Sequence, residues 1–148
     1  NLLTIENDEL SFGLDDLLAV AGEVALVVDF HHHWIFSRGE WLDPGDPRLD
    51  RVRDSWRGVR PLAHISVSRE GVLGAHDPDR LPDFAALGEA GHKAAHLRGH
   101  SERMWNRAVN AFVARHLVWC DVEVEAKAKN LASRELADFV RQHAPEPA

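Results

Sequence analysis

The way its apolar segments end restricts this chain most. Leu2-Leu3-Thr4-Ile5 runs into Glu6, and Val24-Ala25-Leu26-Val27-Val28 runs into Asp29, with His31, His32 and His33 just behind. Pro61-Leu62-Ala63 runs into His64, and Asp121-Val122-Glu123-Val124 runs into Glu125. Each segment reads as a strand, and helical patterns separate them. Strands alternating with helices specify an α/β fold with a parallel sheet. The stretch Val24 to Asp29 is apolar on both faces, which suits a strand covered on both sides. A closed (β/α)8 barrel needs about 250 residues. With 148 residues, this chain supplies roughly four βα units, half of a TIM barrel, as one domain over 1–148.

The intervening pattern fills in the units. Leu14, Leu17, Leu18 and Ala21 recur at helical spacing between Gly13 and Glu23. A loop rich in Trp, Pro and Gly is expected from Trp34 to Pro47, then a short helix near Leu49 to Arg57 and a third strand from Pro61 to Ser66. Ser68 to Gly99 reads as loop with short helical pieces. Ser101 is the expected N-cap of a helix whose apolar face carries Met104, Trp105, Ala108, Ala111, Phe112 and Val113. The last strand is Val118 to Glu125. The last helix is Asn130 to His143, with Leu131, Leu136, Phe139 and Val140 inward, and Pro145 and Pro147 ending it.

Net charge is -7, from 24 acidic and 17 basic residues, so the whole molecule does not attract DNA or anionic membranes. Bound cations at one site would reverse the local field. A single cysteine, Cys120, excludes a disulfide framework and a thiolate zinc site, and points to a reducing cytoplasm. No apolar run reaches the roughly 20 residues of a membrane span. Asn1 opens directly into a strand, which reads as a chain cut from something longer or a gene that has lost its front half.

Hard carboxylate oxygens and imidazoles gathered at the carboxyl ends of parallel strands make a divalent metal site. Glu6 closes the first strand, although Glu6-Asn7-Asp8-Glu9 is equally the composition of a solvated turn. Asp29 after five apolar residues is costly to bury unless paired or metal-bound. In extended chain His31 and His33 share one face and His32 takes the other, so one or two of the three reach a site. His64 stands within a strand. Of His76, His92, His96 and His100 in the third connection, at most two are expected to reach it. Glu123 and Glu125 face one side of the last strand, with Lys127 continuing their parity.

At Glu6-Asn7-Asp8, Asp29-Phe30-His31-His32, His64-Ile65-Ser66, His100-Ser101-Glu102 and Glu125-Ala126-Lys127-Ala128-Lys129, the chain resembles the carboxyl-terminal half of the UV damage endonuclease family. The resemblance implies a TIM barrel related to endonuclease IV and xylose isomerase-like proteins. It implies incision of damaged double-stranded DNA on the 5′ side of photolesions. It also implies a cluster of divalent ions, Mn2+ above Zn2+ or Mg2+. By it, Glu6, Asp29, His32, His64, His100 and Glu125 are the metal ligands, with Glu6 and Glu125 the catalytic carboxylates. Where the family often carries a lysine two residues before the position of His64, this chain has Leu62. The family's first-half histidine ligands and lesion-probing residues have no counterpart here. Two other functions fit the same barrel: a sugar isomerase or epimerase, and a metal-binding fragment without activity. A missing barrel half or a second copy is expected to complete the fold.

Overall fold

The computed structural model describes residues 3–73 and 76–143. Leu2, Pro145 and Pro147 lie outside them. The elements are β1 (Thr4–Glu6), α1 (Leu14–Leu18), β2 (Ala25–Asp29), α2 (Phe30–Phe36), α3 (Pro47–Ser55) and β3 (Leu62–Ile65). There follow α4 (Glu70–Leu73), α5 (Phe84–Glu89), α6 (Ala94–Leu97), α7 (Arg107–His116), β4 (Asp121–Val124) and α8 (Asn130–His143). The strands pair in parallel in the order β1-β2-β3-β4. Each strand therefore points its carboxyl end, and the residue that closes it, the same way.

Register then sorts the side chains. Glu6 lies opposite Val27, Asp29 opposite His64, and His64 opposite Glu123. These residues share one face, because side chains alternate along a strand. Leu26, Val28, Ala63, Ile65 and Val124 take the other face and join the main core. There they meet Leu14, Leu17 and Leu18 of α1, Leu49 and Val52 of α3, Val109, Phe112 and Val113 of α7, and Ala132 and Leu136 of α8. Trp56 closes the amino-terminal part of the site face. It packs on Ala25, Val27 and Leu62 and donates its indole N–H to the Leu26 carbonyl at 2.7 Å. Leu62 is thus an apolar filler within that cluster.

Several local expectations fail for identifiable reasons. The histidine triplet is helical. Asp29 ends β2 and at once caps α2, accepting the His32 N–H at 2.7 Å. The helix runs through Trp34 and Ile35, in place of the expected loop. The α1 helix ends at Leu18, well short of Glu23, and successive turns lead into β2. Ser101 caps nothing; Asn106 caps α7, accepting the Val109 N–H at 2.9 Å. Val118 and Leu131 are exposed, and Ala132 takes the inward place on α8. The third connection, by contrast, holds the short helical pieces expected of it, α4 to α6 among the described residues, around Trp34, Leu73, Leu87 and Leu97.

Candidate metal centre

All six residues named as ligand candidates come together at the carboxyl end of the sheet. Atoms of Glu6, Asp29, His64 and Glu125 lie within 4.8 Å of one another, and so do atoms of His32, His100 and Glu125. Glu125 belongs to both groups. His64 Nδ1 is 3.1 Å from Glu6 Oε1 and 3.5 Å from Glu125 Oε1. His32 Nδ1 is 3.5 Å from Glu6 Oε1 and 3.8 Å from Asp29 Oδ2. His100 Nδ1 stands 3.9 Å from Glu125 Oε2.

The local chain explains the convergence. Asn7 is buried and locks β1 to β2, its amide donating to the Asp29 carbonyl at 3.0 Å and its oxygen accepting the Asp29 N–H at 2.9 Å. The turn after it is tied by Asp8, whose carboxylate accepts the N–H groups of Leu10, Ser11 and Phe12. Helical spacing sets His32 one turn after Asp29, so it alone of the triplet faces the centre. The His31 ring is buried, with Nε2 3.3 Å from Ser68 Oγ, stacked on Trp34 and edge-on to His100. His33 turns away to Glu40 at 2.9 Å. His100 is brought in by backbone: Ser68 and His100 form an antiparallel bridge behind β3. Of the other histidines in that connection, His76 bonds the Arg80 carbonyl, and neither His92 nor His96 joins the two groups. Glu123 approaches His64 Nε2 to 3.8 Å, but its side chain is largely exposed.

Electrostatics mark the centre as short of positive charge. Burial pushes the Asp29 carboxyl above its ordinary range, against the pull of His32 and its amide, and Glu6 and Glu125 add to the push. Asp29 Oδ2 is fully buried and has no hydrogen-bond partner. An orphaned buried carboxylate oxygen is costly unless a cation meets it. The hydrogen bond that the His64 ring donates to Glu6 raises the His64 pKa despite burial. Burial opposes protonation of His32 too, yet Asp29, the Asn7 carbonyl, Glu9 and Glu6 together raise it. Three carboxylates and three imidazoles around one orphaned oxygen fit divalent ions of the first transition row, which accept mixed oxygen and nitrogen ligation.

Two features had no clear signal in the sequence. Asn7 positions Asp29, and Glu9 bridges His32 Nε2 at 3.7 Å and Arg98 Nη1 at 3.7 Å on the rim. Arg98 is thereby engaged by a carboxylate.

A family model described as UV-endonuclease UvdE matches residues 1–144. The UV-damage endonuclease of Neurospora crassa is 33% identical over 87 residues, covering 52% of this chain and 13% of that protein. The UV-damage endonuclease of Schizosaccharomyces pombe is 33% identical over 94 residues, covering 55% of this chain and 16% of that protein. The chain thus matches less than a fifth of the length of these relatives. The crystal structure of SacUVDE superposes with a TM-score of 0.65 at 22% identity, over 95% of this chain and 39% of that one. The strand-end residues, the parallel sheet that gathers them and the match over nearly the whole length agree, and the chain belongs to the UV-endonuclease UvdE family.

Proposed function

We propose that this chain is the carboxyl-terminal half of a metal-dependent DNA repair endonuclease, four βα units of a TIM barrel that incises DNA 5′ to photolesions. The observation that carries it is the two overlapping donor groups, Glu6-Asp29-His64-Glu125 and His32-His100-Glu125. Divalent ions there, Mn2+ by the ligand mixture, would polarise a phosphodiester and ease ionisation of water.

The residues divide the remaining work. Asp29, rigidly held by Asn7 and by the α2 amide, supplies a fixed buried oxygen. Glu125, shared by both groups, would hold two ions at one spacing. Glu6 fixes the ring of His64 by hydrogen bond. Hydrolysis joins a water oxygen to phosphorus and breaks the P–O bond to the leaving nucleotide oxygen. Glu6 and Glu125 would accept the proton that the water loses. A missing barrel half, or a second copy of the chain, would complete the ligand shell, because the strands β1 and β4 have unpaired edges among the described residues.

Metal content after purification without a histidine tag tests the ligand set. The wild-type chain should retain transition metal, and Glu125→Gln should lose most of it, since both donor groups lose a member. Undiminished metal in the variant would refute the assignment. Joined to the first half of a full-length family member, the chain should nick UV-irradiated plasmid with Mn2+. Equal nicking by the isolated 148-residue chain would show that the half-barrel reading is wrong.

A further inference from the structure

Most of the arginines are neutralised where they stand. Arg48 is held by Glu40 and Asp46, Arg53 by Asp50, Arg60 by Asp121, Arg107 by Asp79, Arg115 by Asp43 and Arg141 by Asp138. Next to the acidic centre the pattern differs. A groove runs from His100 and Glu125 along Lys127 and Lys129. Lys127 also lines a second groove, of about 490 Å3, with Arg69, Trp105 and an Arg103–Glu135 ion pair. The shared lysine makes the two grooves one trough that starts at the centre. Among the described residues, Arg69, Lys127 and Lys129 form no ion pair and donate no side-chain hydrogen bond. Glu70 and Glu102 line the second groove beside Arg69 and Lys127, and the exposed Glu123 lines the first beside Lys127 and Lys129, so carboxylates stand among the three free cations in equal number.

These cations are not on floppy ground. Arg69 N–H donates to the Gly99 carbonyl at 3.0 Å, next to His100. Lys127 N–H donates to the Ser101 carbonyl at 3.0 Å, on the other side of His100. Both backbones are therefore bonded to the segment that delivers a metal-ligand candidate. The Arg69 guanidinium lies against Gly99 so closely that a Cβ there would sit 2.8 Å from its Nε. Lys129 is held at φ 50, a left-handed conformation unusual for a lysine, at the entry to α8. Trp105 donates its indole N–H to the Ser68 carbonyl at 2.9 Å, which fixes its ring half-buried in the trough wall.

We infer that this trough is the path of a DNA strand away from the acidic centre, with Lys127, Lys129 and Arg69 on successive backbone phosphates and Trp105 as a stacking face. Fixed cations tracking a backbone beside an aromatic ring are the ordinary means of holding a strand without reading its sequence. The inference rests on the nuclease reading and assigns the direction in which the substrate lies across the site.

Fluorescence polarisation with a labelled oligonucleotide, single-stranded and as duplex, is the test. It is run in EDTA so that no cleavage intervenes, over a series of salt concentrations. Lys127→Gln, Lys129→Gln and Arg69→Gln should each weaken binding and lower the salt slope by about 0.7 on single strand or about 0.9 on duplex. Trp105→Leu should weaken binding with the slope kept. Gly99→Ala should weaken binding without loss of thermal stability, because its methyl displaces only the flexible end of Arg69. Arg38→Gln, a free cation outside the trough, should change nothing. If the wild type binds DNA and the trough variants match its affinity and slope, or Arg38→Gln loses as much as they do, the trough is refuted and the nuclease reading stands. If the wild type binds neither form, the trough is likewise refuted, while the nuclease reading, which belongs to the completed barrel, is judged by the chimera.

Discussion

Acidification should destabilise this chain in part through one buried imidazole outside the metal centre. His116, on α7, is fully buried between the rings of Phe30 and Phe112, whose centroids lie 4.4 and 4.6 Å from its own. Its Nε2–H donates to the Leu42 carbonyl at 3.1 Å, and its Nδ1 accepts the Trp119 indole N–H at 3.1 Å. That pattern admits only the neutral ring, because a second proton on Nδ1 would face a donor. Burial accordingly pushes its pKa from 6.5 down to about 4, with Arg115 adding to the push against the Leu42 bond. Below pH 6.5 the unfolded chain holds a proton that the folded chain does not. Stability from this residue is complete above pH 6.5 and is lost as pH falls toward 4, at about 1.4 kcal/mol per pH unit and about 3 kcal/mol in total. His116→Gln keeps one acceptor and one donor but does not titrate. At neutral pH it should be less stable by about 1 kcal/mol. Urea unfolding from pH 7.5 to 4 should then show the gap between wild type and variant closing and reversing. Buried His31, whose pKa burial and its neighbours His100 and His32 lower to about 3, titrates in both proteins and so cancels in the comparison. Parallel stability curves for the two would refute the reasoning.

The strands and the residues that close them were legible because a parallel, doubly covered strand leaves a plain apolar run. The ends of those runs are enough to single out Glu6, Asp29, His64 and Glu125. His32 was legible only through the family resemblance. Reading the triplet as extended chain groups His31 with His33, whereas the helix that starts at Phe30 sends the three rings to Ser68, the centre and Glu40. The signal was present in Asp29, a good N-cap set before Phe30, Trp34 and Ile35 at helical spacing. The short helical pieces expected in the third connection are there as α4 to α6, but their bounds were not legible, since runs of four to six residues show no period. Nor was the role of Asn7, because a residue that bonds the backbone of another strand leaves no pattern in its own neighbourhood. The start of α7 was not legible for a related reason: Ser101 and Asn106 are both good caps, and tertiary contacts choose between them. Ser101 is taken by the segment itself, its hydroxyl donating to the Arg103 carbonyl at 2.6 Å.

Gly13→Ala should destabilise the fold by about 1–3 kcal/mol, measured by urea midpoint, since a Cβ would lie 2.4 Å from the Phe36 ring. Cys120 should resist thiol reagents until the chain unfolds, because burial pushes its thiol up to about 12 and closes access; fast labelling of the native chain would contradict this. Asp29→Asn separates stability from metal binding. Without metal, the Asp29 carboxylate is buried with Oδ2 unpartnered and with Glu6 and Glu125 close by. An asparagine still accepts the His32 N–H, as good a cap as aspartate. Its NH2 group takes the place of the orphaned oxygen and faces carboxylates instead of opposing them. In EDTA the variant should therefore be as stable as wild type, or more stable by about 1 kcal/mol. Adding Mn2+ reverses the order. Binding to the folded state alone stabilises wild type by about 2.7 kcal/mol at a hundredfold excess over Kd, and the variant, lacking the anionic oxygen, should gain little. Thermal melts of both proteins with EDTA and with Mn2+ decide the matter. A variant that is less stable in EDTA by more than about 1 kcal/mol would mean that Asp29 is a structural cap. A variant that gains as much from Mn2+ as wild type would remove Asp29 from the ligand set.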